Sequence, residues 1–384
     1  MNRIAPSWQA IAAIALCLIA MFLPAMTVPE AQQQADPTIT MNYPYLGTRS
    51  LIEWLLVATA LLSMVRLPPL ARAAILLVGA HWAAWLLVGG IVGFEGTALK
   101  PFYLLVAAAW LLAWRCVSVL SELKPMERAL KTGIRLIIPV LFGAWILIIW
   151  EALTRGAGVP FVLLPPPSLI ALRISQSLPI LAADVQQTVL KAVLAGYIIG
   201  NVLGFATAIL ADAVGFLRRG LLPIGNMVSA LPIIGVAPIM VMWFGFGWES
   251  KAAVVVIMTF FPMLVNTVAG LTAAGHMERD MMRTYASSYS QELFKLRLPA
   301  AAPFIFNALK INSTLAMIGA IVAEFFGTPV VGMGFRISTE VGRMNVDMVW
   351  AEIAVAALVG SVFYGVVALI ERAATFWHPS VRGG

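Results

Sequence analysis

The chain has 384 residues, 61% of them hydrophobic and only 11% charged, with a mean hydropathy of +0.92, so a water-soluble domain of this length is excluded. The net charge of +7 and pI near 9.6 do not mark a nucleic-acid partner, because the basic residues are dispersed between apolar runs and read as topology signals. Two cysteines inside apolar runs, Cys17 and Cys116, and three scattered histidines, His81, His276 and His378, argue against a disulfide framework and a metal centre.

Crossing a hydrocarbon core of about 30 Å takes roughly 20 apolar residues in a helix. Runs of that kind fall at Gln9–Val28, Ser50–Val65, Ala73–Phe94, Pro101–Ser118, Ile134–Leu153, Val189–Ala211, Leu221–Phe244, Ala252–Leu271, Phe304–Phe325 and Val349–Glu371. This pattern predicts an all-α polytopic membrane protein of about ten transmembrane helices. A β-barrel would show short alternating segments, whereas Ala252 to Leu271 is apolar on every face. The first run follows Arg3 as a signal peptide would, but it is long for one and has no clear small-residue cleavage site, so an uncleaved helix is expected.

With Arg3 inside, most of the 25 basic residues share its side, including Arg66 and Arg72, Lys124 to Arg135, Arg218 and Arg219, and Arg279 to Lys310. The positive-inside rule then places both termini in the cytoplasm and the segments Pro29–Thr48, Thr154–Gln187, Gly245–Lys251 and Gly327–Asp347 outside. The polar stretch Glu122 to Arg128, with Pro125 as a breaker, predicts a boundary between a four-helix N-terminal extension, 1–121, and a six-helix part, 122–384. No internal repeat joins the two parts, which argues against an ion-coupled secondary transporter of a small solute, the alternative reading, as does the lack of relayed acids at midplane positions.

The most informative segment is the long polar loop near 273–303, on the predicted cytoplasmic side. Loops of this length are uncommon without a function, and this one mixes charge with Met281, Met282, Tyr285, Tyr289 and Phe294, as a short amphipathic helix offered to a partner would. Its spacing resembles the EAA loop of ABC importer permeases: Asp280-Met281-Met282 takes the Glu-Ala-Ala place, Ala286 the Gly place and Leu296-Arg297-Leu298-Pro299 the closing Ile-x-Leu-Pro. The resemblance extends from about Leu163 to His378 and is closest in character to the nitrate, sulfonate and taurine branch. It is carried by Leu164-Pro165-Pro166-Pro167-Ser168, Ala195-Gly196-Tyr197 with Gly200 and Gly204, Leu231-Pro232-Ile233-Ile234-Gly235-Val236-Ala237-Pro238, Trp243 to Gly247, Phe261 to Thr267, and Gly332-Met333-Gly334.

That resemblance implies a type I ABC importer permease core of the bacterial inner membrane, passing a small solute such as a nitrate-, sulfonate- or taurine-like anion or a small heterocycle. It implies ATPase coupling through Asp280, Met281, Met282, Arg283, Tyr285, Ala286, Ser287, Leu296, Leu298 and Pro299. It also implies partners: separate ABC ATPase subunits carrying ATP and Mg, a second permease chain in a homodimer, an extracytoplasmic solute-binding protein, and membrane lipid. No cofactor is expected on this chain, which has no Gly-x-x-x-x-Gly-Lys-Ser/Thr phosphate loop and is not itself expected to be an enzyme. Pro232, Gly235, Pro238, Asn266 and Glu324 are pore or gate candidates; tolerated kinks and hydrogen bonding between helices are the plainer reading of the same residues.

The orientation has a direct test in intact cells after Cys17 and Cys116 are replaced. A cysteine at Gln33 should react with an impermeant reagent, and one at Ser290 only after permeabilisation; outside labelling of Ser290 would reverse the topology.

Overall fold

The computed structural model describes residues 7–24, 44–123, 125, 127–228, 232–327 and 331–377. Residues 25–43 of the first expected run and its outer loop, with Lys124, Leu231 and His378, lie outside them. Among the described residues the backbone is helical, with no strand longer than an isolated bridge. Two compact units are present, 1–171 and 172–384.

The first unit holds α1 (Trp8–Met21), α2 (Pro44–Met64), α3 (Pro69–Ile91), α4 (Lys100–Glu122) and α5 (Arg128–Gly156). Phe102, Leu105, Ala109, Leu112, Cys116 and Val119 recur at alternating spacings of three and four along α4 and are all buried. On α1 the buried positions Ala10, Ala13, Cys17 and Ala20 are small, which lets neighbouring backbones approach closely. Between α2 and α3 the helices approach closely at Gly79, where a Cβ would lie 2.1 Å from Thr59 Oγ1.

The expected boundary near Ser121 coincides with the end of α4, but compactness groups α5 with the helices before it. The reason is polar as well as apolar. Trp145 Nε1 donates to His81 Nε2 at 3.1 Å while His81 Nδ1 bonds to the Leu77 carbonyl at 2.7 Å, which fixes one imidazole tautomer. At the end of α5, Arg155 donates to Glu151 at 2.5 Å, to Glu95 at 2.6 Å and to Ser168 Oγ at 2.8 Å, and the Ser168 amide returns to Glu151 at 2.8 Å. Burial alone would raise the Glu95 pKa, but hydrogen bonds from its own and the Gly93 amide and from Arg155 outweigh it, so the pKa is lowered and the carboxylate stays charged.

In the second unit α6 (Pro167–Gln176), which begins just before the division, precedes α7 (Leu178–Val185). A π-helical stretch, Gln186–Val193, carries α7 without a break into α8 (Leu194–Ala213), giving one rod of 36 residues. Next come α9 (Gly215–Val228), α10 (Ile233–Phe244) and α11 (Trp248–Thr272). After α12 (His276–Thr284), a single turn, α13 (Tyr289–Glu292), passes through a π-helical turn, Leu293–Arg297, into α14 (Leu298–Glu324). The short α15 (Met333–Gly342) and the long α16 (Val346–Ala374) complete the unit.

Helix α11 is central, packed between α8 and α14. Gly196, Gly200 and Gly204 recur every fourth residue on α8, and a Cβ at each would lie 2.6, 2.1 and 2.5 Å from atoms of α11, so only glycine admits this contact. Asn312 of α14 donates to Asn201 of α8 at 2.6 Å and to the Thr259 carbonyl of α11 at 2.8 Å, tying all three helices.

Among the described residues, seven helical stretches are long and apolar enough to cross a membrane: α3, α4, α5, the α7–α8 rod, α11, the α13–α14 stretch and α16. The remaining expected runs correspond to shorter or more polar helices, and the seventh run, Leu221–Phe244, is two helices rather than one. Pro232 heads α10 as its N-cap, where its missing N–H and fixed φ suit a helix start and oppose continuation from before it.

Two glycines of α3 separate packing from propensity. Gly79→Ala should destabilise the purified chain by about 1–3 kcal/mol through overpacking against Thr59. Gly89→Ala, whose Cβ would meet nothing within 4 Å, should be neutral or stabilising in the same detergent-unfolding measurement.

Candidate functional site

The loop singled out in the sequence folds as α12 and α13. Helix α12 has Glu278 in its first turn and Arg283 in its last, each complementing the helix dipole, and none of its residues is buried. Met277, Met281 and Tyr285 recur every fourth position and so share one face, 84%, 55% and 81% exposed. Around this apolar ridge lie Asp280 and Arg283, an exposed pair 3.8 Å apart, which offers charge to a partner and adds little to stability.

The helix ends in a left-handed turn at the position that the motif assigns to glycine. Ala286 has φ 51, its amide bonds to the Arg283 carbonyl at 2.9 Å, and the Ser287 amide reaches the Met282 carbonyl at 3.1 Å. Those two bonds and the left-handed residue are the Schellman arrangement, here made with a residue that has a Cβ. Ser288 then starts α13 with a capping box, its hydroxyl accepting from the Gln291 amide and the Gln291 side chain from the Ser288 amide.

This exposed segment is braced by a buried ion pair. Arg297, 9% exposed at the side chain, donates to Asp212 at 2.5 Å; the Tyr289 hydroxyl donates to the second Asp212 oxygen at 2.9 Å. Arg297 also donates to the Leu271 carbonyl at 3.0 Å, and Arg279 reaches the same carbonyl at 2.9 Å. Leu293 packs with Leu271 and Ala301 beneath, and Leu298 is partly buried against them. The ends of α8 and α11 and the start of α14 thus converge on the loop. Leu296 and Pro299 are half-buried at that junction, as are Met282 and Ser287 on the α12 side.

Asp212, which braces this segment through Arg297 and Tyr289, is not among the residues that the sequence singled out. Its signal was present: a lone acid closing the apolar run Leu210-Ala211-Asp212. Arg297 was hidden as the unspecified residue of the Leu296-Arg297-Leu298-Pro299 motif.

The gate candidates do not assemble into one site. Gly235 stands in the first turn of α10, where among the described residues an added Cβ would meet the Pro232 ring at 4.0 Å, and Pro238 lies in the second turn. The Asn266 amide bonds within its own helix to the Pro262 carbonyl at 2.8 Å. Glu324 sits elsewhere, in a buried network: it accepts from Thr188 Oγ1 at 2.8 Å and from the Gly334 amide at 2.7 Å. In the same network Asp184 accepts from the Gly332 amide at 2.7 Å and from Arg336 at 2.8 Å. Gly332, at φ 142, brings its backbone so close that a Cβ would lie 2.8 Å from the Glu324 carboxyl. Lys251, almost fully buried, donates to the carbonyls of Phe246 and Gly327 and so pins two loops together.

A family model described as the binding-protein-dependent transport system inner membrane component matches residues 200–375. The formylaminopyrimidine transport permease protein ThiX of Halalkalibacterium halodurans is 31% identical over 65% of this chain and 99% of its own length. The chain belongs to the binding-protein-dependent ABC importer permeases. A probable ABC transporter permease of Haemophilus influenzae is 30% identical, over 60% of this chain and 94% of its own length. A putative aliphatic sulfonates transport permease of Bacillus subtilis is likewise 30% identical, over 64% of this chain and 88% of its own length. This permease is accordingly a multi-pass inner-membrane subunit of an ABC importer for a small solute, in the branch that holds the sulfonate, taurine and nitrate permeases.

The left-handed alanine yields a test within the permease itself. Ala286→Gly should stabilise the end of α12 by about 1 kcal/mol, the approximate cost of a left-handed backbone for a residue with a Cβ. Slower amide exchange at Ala286 and Ser287 positions in the variant is the expected reading; unchanged exchange would contradict the strain.

Proposed function

We propose that this permease passes its solute in response to ATP hydrolysis on separate ATPase subunits, with α12 and the turn at Ala286 as the segment that seats in them. The observation that carries the reading is the exposed ridge Met277, Met281 and Tyr285, on a helix braced through Asp212, Arg297 and the Leu271 carbonyl to three helix ends. An apolar ridge without a cover gives a docking surface, and charge-assisted hydrogen bonds at its base give a stiff connection. In the coupling set, Met281 and Tyr285 form the contact with Asp280 and Arg283 at its rim. Met282, Ala286 and Ser287 set the turn, and Leu296, Leu298 and Pro299 lead into α14.

The solute is delivered by an extracytoplasmic binding protein and is a small anion or small heterocycle, as the names of the sulfonate and formylaminopyrimidine relatives suggest. Two copies of the chain form the pore. Helix α16 supports this, because only 6% of its most apolar stretch is buried within the chain, leaving a long face for a second copy or lipid. Pro232, Gly235 and Pro238, in and just before the short helix α10, supply the movable gate, with Asn266 and Glu324 as its further candidates on α11 and α14. Residues 122–384 form the transport core, 1–121 an extension, and both termini face the cytoplasm, where the ATPase subunits hold ATP and Mg.

Tyr285→Glu or Met281→Glu places a carboxylate in the proposed seat without touching a buried residue. Burying an unpaired charge costs several kcal/mol, so either variant should express and insert normally yet lose ATPase copurification and binding-protein-stimulated hydrolysis. Lys131→Glu, a charge reversal at an exposed site of α5, should leave both unchanged. Wild-type stimulated hydrolysis in Tyr285→Glu proteoliposomes would remove α12 from the coupling site.

A further inference from the structure

The first unit carries a groove of about 650 Å³ that the transport reading does not use. It lies between α3 and α5 and is lined mainly by apolar groups, among them Trp85, Val88, Gly89 and Leu147. One end is at His81 and the other at Arg155, with Glu151 and Ser168 beside it. His81 stands near the middle of a membrane-crossing helix and Val92 just past its end. From His81 to Val92 the helix rises about 16 Å at 1.5 Å per residue. That is about half of a 30 Å hydrocarbon core, so the groove runs from the bilayer midplane to one interface, the depth of a single leaflet.

The interfacial end has the chemistry of a head-group site. Arg155 donates once each to Glu151, Glu95 and Ser168, and a guanidinium with five N–H groups keeps donor capacity beyond these. Glu95 is not part of the groove lining but adjoins it through Arg155; it receives Arg155 and the Gly93 amide on one oxygen, and its side chain is 42% exposed. Glu95 and Glu151 together outweigh Arg155, so this end disfavours an anionic head group. A phosphate beside a primary ammonium matches it, the phosphate on Arg155 and the ammonium on Glu95.

We propose that this groove binds one zwitterionic aminophospholipid, with an acyl chain between α3 and α5 and the head group across Arg155 and Glu95. Every named contact lies within the first unit, so the site does not depend on the coupling reading. It gives the seam between α3 of the extension and α5 of the proposed core a role in holding lipid.

The test is native mass spectrometry of the delipidated full chain, titrated with phosphatidylethanolamine or phosphatidylglycerol. The wild type should retain one phosphatidylethanolamine with at least tenfold preference over phosphatidylglycerol. Gly89→Phe fills the groove where a Cβ meets nothing within 4 Å, and should cut retention at least tenfold without lowering the unfolding temperature. Glu95→Gln should keep the lipid and erase the head-group preference. Equal retention by wild type and Gly89→Phe, or preference for phosphatidylglycerol, would overturn the proposal. So would a chain dimer that Gly89→Phe dissociates with no lipid lost.

Discussion

The carboxylate of Asp212 is where the exposed loop and the membrane helices become one body. Its side chain is 2% exposed, and it takes Arg297 on one oxygen and the Tyr289 hydroxyl on the other. A buried carboxylate with its partners removed costs several kcal/mol, far more than the paired arrangement contributes to stability. The pair therefore acts as a constraint: the loop moves with the end of α8, and through the Leu271 carbonyl with the end of α11, or the charges separate at a prohibitive cost. A contact between α12 and a partner needs such stiffness beneath it, since a ridge on a slack loop would absorb displacement in its own backbone.

Bilayer thickness explains why so much of the fold was legible. The minimum length of an apolar run is a local property, and each expected run has a helical counterpart. What was not legible depends on contacts remote in sequence. The grouping of α5 with the first unit rests on Trp145 meeting His81 and Arg155 meeting Glu95, 64 and 60 positions apart. The break in the seventh run was signalled by Pro232, but prolines also sit inside α5, α11 and α14 without ending them, so a proline alone did not decide it.

The candidate site divides in the same way. Spacing back from Pro299 placed Asp280 to Ser287 on one segment and put Ala286 in the glycine position, where the left-handed backbone is found. The brace was invisible, because Asp212 lies 77 positions from Tyr289 and 85 from Arg297. Gly332-Met333-Gly334 was legible only as a pattern. Its physical cause, backbone packed against the Glu324 carboxyl, needs the end of α14 beside it.

The two buried networks of the second unit sit at opposite ends of the same helices. The α7–α8 rod carries Asp184 near its start and Asp212 near its end, about 42 Å apart at 1.5 Å per residue. Helix α14 begins after Arg297 and ends at Glu324, and α11 offers the Leu271 carbonyl at one end and Lys251 at the other. A separation longer than the 30 Å hydrocarbon core lets both clusters of charge lie toward the interfaces, where ionised groups cost least. Between them the three helices are fastened by the glycine contacts of α8 and by Asn201, Thr259 and Asn312. Three helices clasped at both ends and close-packed between are poorly able to bend independently. Under the proposed coupling, displacement at the Asp212–Arg297 clasp would be carried toward Asp184, Glu324 and the Gly332 turn by the helices themselves, without a separate relay.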